Sequence, residues 1–137
     1  MIDPRTLIAA RRFGEIRYSV ASEPTGSHSR LLGKFGLTPD ESLLIEHCRN
    51  SALQILITLL WKDMAYEGEC MPRHEAESLA QQILSEHESP GSRYFSNGNI
   101  AKGESWNPLT ESTFDAGLVV TDPVGQNHFC IWFQDED

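Results

Sequence analysis

The chain has 137 residues, 39% of them hydrophobic and 9% aromatic, which suffices for one ordinary core and is too much for a disordered chain. Lys and Arg number 11 against 20 Asp and Glu, a net charge of −9. That balance argues against the basic surface by which proteins hold nucleic acid or an anionic membrane.

The acidity is uneven: after Lys102 there are seven acids and no Lys or Arg. Cys48, Cys70 and Cys130 form an odd set without a C-x-x-C pair, so free thiols in a reducing compartment are expected rather than a disulfide framework. At the start, Asp3, Arg5, Arg11 and Arg12 interrupt any signal-like apolar run. The most apolar stretch, 52–61, is about half the ~20 residues that a membrane span needs. The expectation is a soluble cytoplasmic protein, a single domain over 1–137.

In chain order, Asp3-Pro4 predicts the start of a short helix ending near Gly14, with Leu7, Ile8, Ala10 and Phe13 along one face. Ile16, Tyr18 and Val20 alternate at strand spacing. Residues 21–37 read as a loop anchored by Leu31, Leu32 and Phe35. Thr38-Pro39-Asp40-Glu41 has the form of a capping box, and the chain beyond it predicts one helix to about Tyr66. That helix is apolar nearly all round, so it must be covered by other elements.

Gly68 ends or kinks it. A second, amphipathic helix is expected from Pro72 to Glu86, with Ala76, Leu79, Ala80, Ile83 and Leu84 on its apolar side, stopped by Ser89-Pro90-Gly91. Residues 91–112 read as a long loop holding Tyr94, Phe95, Ile100, Trp106 and Leu109. A hairpin closes the chain: Phe114, Ala116, Leu118 and Val120 share one strand face, and Phe129, Ile131 and Phe133 oppose His128, Cys130 and Trp132. Asp122-Pro123-Val124-Gly125 supplies the turn. A lone hairpin is marginal, and the segment 16–20 is the candidate third strand. The fold class expected is α+β: a buried central helix and an amphipathic helix packed with a C-terminal antiparallel hairpin or small sheet.

Signatures of chemistry fail on inspection. Gly26 to Lys34 has the wrong spacing for a phosphate loop and no Ser or Thr after the lysine. His74-Glu75 lacks the second histidine of a zinc-protease helix, and the five histidines do not recur at converging spacings. No metal or cofactor is expected. Cys130 and Cys48 read as buried thiols, and Asp115 and Asp122 as turn or strand carboxylates. The chain is therefore read as a binder and not an enzyme. The partner-binding candidates are the acids Asp135, Glu136, Asp137, Asp122 and Glu111, extended by Glu104 and Asp115. Trp106 is the chosen aromatic anchor, with Tyr94 and Trp132 also considered. Two alternatives stay open: a small enzyme built on Cys130, His128 and Asp115, and an acidic mimic of nucleic acid.

The residues 94–98 (Tyr-Phe-Ser-Asn-Gly), Trp106-Asn107-Pro108, 112–117 and 130–133 with the Asp-Glu-Asp end resemble small bacterial immunity proteins of polymorphic and contact-dependent growth inhibition toxin systems. The resemblance covers roughly the last third of the chain. It implies a cytoplasmic antitoxin without enzymatic activity whose partner is a cognate toxin domain. Many such toxins are basic nucleases, which an acidic inhibitor would complement.

Overall fold

The computed structural model of the chain describes residues 6, 11, 14–24, 27–103, 107–122, 124 and 127–135. The fold is α+β. Five strands, β1 (Glu15–Ser22), β2 (Ile45–His47), β3 (Arg93–Ser96), β4 (Phe114–Thr121) and β5 (Asn127–Asp135), form one sheet in the order β1-β5-β4-β3-β2, every neighbouring pair antiparallel. Among the described residues three helices with defined bounds accompany it: α1 (His28–Lys34), α2 (Arg49–Trp61) and α3 (Arg73–His87). Among the described residues no helix is long and apolar enough to cross a membrane.

Strand alternation divides the core in two. Ala116, Leu118, Val120, Phe129, Ile131 and Phe133 face α2 and α3, where α2 is buried on nearly every side from Ala52 to Leu60. Val119, Cys130 and Trp132 face the opposite way, against Leu31, Leu32, Phe35, Leu37, Phe95 and Leu109. The central strands are thus covered on both faces, which is why β4 and β5 are buried almost without a break. Both cores need large side chains from the same strands, so the backbones approach closely at Gly117. A Cβ there would lie 2.2 Å from the Ile131 carbonyl oxygen and 2.6 Å from Trp132 Cε3.

The hairpin, its alternating faces, the third strand and the amphipathic helix all stand as expected. Three segments differ. The helix expected from residue 38 to 66 is confined to Arg49–Trp61. Asp40 caps only a 3-10 turn (Glu41–Leu43) through the Ser42 amide, and Ile45–His47 extends to pair with β3. Here a tertiary partner overrides a good local capping sequence.

The expected loop 21–37 contains α1, capped by Ser27, which accepts from the Arg30 amide at 3.2 Å. The expected loop 91–112 contains β3, a strand of four residues in which Tyr94 and Phe95 enter different cores. The first helix expected before Gly14 lies almost wholly outside the described residues, within which Thr6 and Arg11 are helical. Pro123 and Gly125 of the expected turn are also outside them.

Gly117→Ala should cost about 3 kcal/mol of stability in urea unfolding, because both nearest neighbours are backbone or packed indole. Gly33→Ala in α1, whose new methyl would meet only Pro39 Cβ at 3.8 Å, should instead gain about 0.5 kcal/mol.

Candidate functional site

Two buried carboxylates organise one end of the sheet. Asp115 is the second residue of β4 and Asp135 closes β5; they sit on neighbouring strands, with Phe114 opposite Asp135 and Asp115 opposite Gln134. The pleat therefore sends them to opposite faces. Both are 0% exposed.

Asp115 belongs to the face of Trp132. Its Oδ1 accepts from the Leu109 amide (3.0 Å) and Trp132 Nε1 (3.2 Å), and its Oδ2 from the Thr110 amide (2.9 Å) and hydroxyl (2.7 Å). Asn97, also buried, donates from Nδ2 to the Asn107 and Asp115 carbonyls at 2.8 and 2.9 Å. The Thr38 amide and hydroxyl both donate to the Leu109 carbonyl, and Gln134 Nε2 donates to Ser112 Oγ. Segment 107–112 is thereby held at most of its polar groups. A carboxylate with amide, hydroxyl and indole donors is well compensated for its burial.

Asp135 belongs to the face of Phe133. It forms a bidentate pair with Arg11, both contacts 2.8 Å, and accepts the Met64 amide at 2.8 Å. Arg11 also donates to the carbonyls of Leu59 (2.7 Å) and Lys62 (3.3 Å) at the C-terminal end of α2, and lies over the Phe133 ring. Its fork thus satisfies helix-end carbonyls and a carboxylate together. Gly14 lets the chain pass over this pair: a Cβ there would stand 2.1 Å from Asp135 Oδ1.

From Met64 the chain enters a tight loop. Asp63 accepts the amides of Tyr66 (2.6 Å) and Gly68 (2.9 Å), and Lys62 bridges Glu69 in extended pairing. The tip holds Glu67 at φ 57° and leaves Tyr66 67% exposed.

The two anchored loops flank two concavities. On the α1 side a polar cleft of about 610 Å³ is lined by Arg17, Thr38, Thr110, Glu111, Ser112 and Gln134, among others. Arg17 is engaged there, donating to Gln134 Oε1 (2.9 Å) and the Gly36 carbonyl (2.8 Å). On the α2 side a hollow of about 370 Å³ is lined by Thr58, Leu59, residues 62–67, Ile100 and Gly103. The arrangement offers fixed, mixed polar and aromatic rims rather than an enclosed reaction chamber.

Comparison with family models, with curated proteins and with solved structures gives no match to this chain. The site is therefore read from its own chemistry.

Several sequence-predicted residues lie elsewhere than a partner surface requires. Asp135 is an internal ion-pair partner, not a surface charge, and Asp115 is likewise interior; both follow from strands covered on both faces. Trp132 is 0% exposed and Tyr94 7%, so neither anchors a partner from the surface. Glu111 is exposed on the rim of the larger cleft. Asp122 lies at the far end of the strands, seven residues from Asp115 and so roughly 23 Å away at ~3.3 Å per residue; there its Oδ1 accepts from the Val124 amide at 3.1 Å. Glu104, Trp106, Glu136 and Asp137 are outside the described residues. Sequence reasoning missed the exposed Tyr66 and Glu67, whose only signal was the break at Gly68.

Cys130, His128 and Asp115 share a sheet face but are not gathered. Cys130 pairs with Val119, four residues along β4 from Asp115, a separation of roughly 13 Å. Burial pushes the Cys130 thiol well above its ordinary range, and His128 Nδ1 accepts from the Asp122 amide at 3.0 Å. Cys48, expected in the core, is exposed at the N-cap of α2, where the Ser51 hydroxyl and amide lower its thiol pKa. At this far end a pocket of about 140 Å³ is lined by Glu23, His28, Arg93, Thr121 and His128, with Lys34 and Arg30 at 3.5 and 3.6 Å from the Glu23 carboxylate. Among the described residues no group of three or more His, Cys, Asp or Glu is placed to hold a metal ion.

Asp135→Asn should lower stability by about 3–5 kcal/mol, since it leaves the buried Arg11 charge uncompensated. The double variant Arg11→Met/Asp135→Met should be less damaged than Asp135→Asn alone. Thermal and urea unfolding check both; an Asp135→Asn protein of unchanged stability would put the carboxylate on the surface.

Proposed function

We propose that this chain is a protein-binding inhibitor of the immunity type, which neutralises a basic toxin domain by seating the loop rim at the Asp115–Asp135 end of the sheet against it. The observation that carries this reading is the double anchoring of that rim. Asp115 holds 107–112 and Asp135 with Asp63 holds 62–69, so polar and aromatic side chains are displayed in a fixed geometry. Ordering a loop before association removes an entropic cost of binding and raises affinity without added contact area.

The chemistry of the rim suits a basic surface. Glu111, Glu67 and Glu69 are exposed on it, Tyr66 offers an aromatic face to a guanidinium, and the chain carries a net −9 to steer approach. The resemblance of the last third of the chain to immunity proteins supports the same reading. The contact set is therefore Glu111 from the sequence, joined by Tyr66 and Glu67. Asp135 leaves it, and Asp122 is too distant to share one compact contact with them.

The test is affinity capture from the producing strain, at low and high salt, with wild-type protein and with Glu111→Lys and Tyr66→Ala. A basic toxin domain that is retained by the wild type, released by salt and lost about tenfold or more with either variant is the expected result. Equal capture by all three proteins would move the contact away from this rim. Recovery of no basic protein, from lysate containing the neighbouring gene products, would overturn the reading itself.

A further inference from the structure

The two edges of the sheet differ in a way that the toxin-binding reading does not use. β2 has three residues, two of them Glu46 and His47, and Glu46 is tied across the sheet to Arg93. Short length and charge are how sheet edges are shielded from further pairing. β1 is more than twice as long, and its two charges, Glu15 and Arg17, both lie in its first three residues. Its eight residues run in unbroken register against β5, with no bulge, no proline and no lysine. Among the described residues it makes no backbone–backbone hydrogen bond beyond those to β5, the Lys34 ammonium donates to the Ser22 carbonyl at its end, and Val20 is 55% exposed. A long, regular edge is a template for another strand.

We propose that β1 pairs antiparallel with β1 of a second copy, joining two sheets into one across a two-fold axis at Ser19. The register follows from faces and charges. In an antiparallel self-pairing, a side chain meets one of its own face only when the two residue numbers have an even sum. Centring on Ser19 sets Tyr18 opposite Val20 of the other copy, twice, and Arg17 opposite Ala21. Tyr18 is half-buried and steadied by His87 Nε2, 2.6 Å from its hydroxyl, and by the edge of Phe129. An aromatic beside a β-branched residue is a favourable cross-strand pair. Centring on Tyr18 instead would bring the two Arg17 guanidiniums to diagonal neighbours, and centring on Arg17 would oppose them directly. The Ser19 register keeps them apart and holds the exposed valine against a ring. A second copy is the occupant because the uncharged half of this strand, from Tyr18 to Ser22, matches itself: in the Ser19 register no charge of one strand directly faces a charge of the other between Ile16 and Ser22.

Sedimentation velocity on the full chain, over a wide concentration series, tests the association. A Cys48→Ser background carrying Ser19→Cys or Glu15→Cys, treated with a short bifunctional maleimide, tests the register. The expected result is a monomer–dimer equilibrium, weakened by about tenfold or more in Val20→Lys, with crosslinked dimer from Ser19→Cys and not from Glu15→Cys. Val20 is exposed, so the lysine variant should fold normally, as circular dichroism would show. A monomer at every concentration overturns the proposal. So does a dimer that Val20→Lys leaves intact, or one that crosslinks at residue 15 and not at 19.

Discussion

The rest of the structure depends on two carboxylates that lie on adjacent strands and point to opposite faces of one sheet. Each is buried, and each is satisfied by donors that the fold must place: Arg11 and the Met64 amide, both distant in sequence, for Asp135, and the nearby Leu109 and Thr110 groups with Trp132 for Asp115. Burying a charge without such partners is prohibitive, so the folded state is compatible only with loops in these positions. The two hydrophobic cores fix the strands. The carboxylates then fix what hangs from their ends.

This changes the meaning of the acid-rich end of the chain. Read as composition, seven acids after Lys102 suggest one negative face. In the fold, Asp115 and Asp135 are internal, Asp122 stands at the opposite end of the strands, and Glu111 is exposed on the rim. The negative surface that remains is spread over several elements, including Glu67 and Glu69 beside the exposed Tyr66 and Glu75 and Glu77 on α3. Long-range steering depends on the total charge and survives this redistribution, whereas a local contact depends on which carboxylates reach water.

What could be read from the sequence was what periodicity governs. The alternation of Ala116, Leu118 and Val120 against Phe129, Ile131 and Phe133 places the hairpin and its faces, and the spacing of Ala76, Ala80, Ile83 and Leu84 places α3. Elements of three to seven residues carry too few repeats to register: β3 and α1 were hidden in segments whose Ser, Gly and Pro content signals a loop, and β2 in a stretch expected to be helical. Thr38-Pro39-Asp40-Glu41 misled because capping chemistry is local, while the decision between helix and strand at Ile45–His47 is made by pairing with β3. The site was least legible. Nothing in the string Phe114-Asp115-Ala116 distinguishes a solvated strand carboxylate from one that meets an indole and two amides inside the fold.

Backbone hydrogen exchange tests the central claim most directly, comparing wild type with Asp115→Asn and Asp135→Asn. If each carboxylate holds its own loop, Asp115→Asn will speed exchange at Leu109 and Thr110 while Met64 stays protected. Asp135→Asn will do the reverse, and β4 and β5 will remain slow in both. Unchanged exchange at these amides, or an equal rise across the whole chain in both variants, would contradict the account.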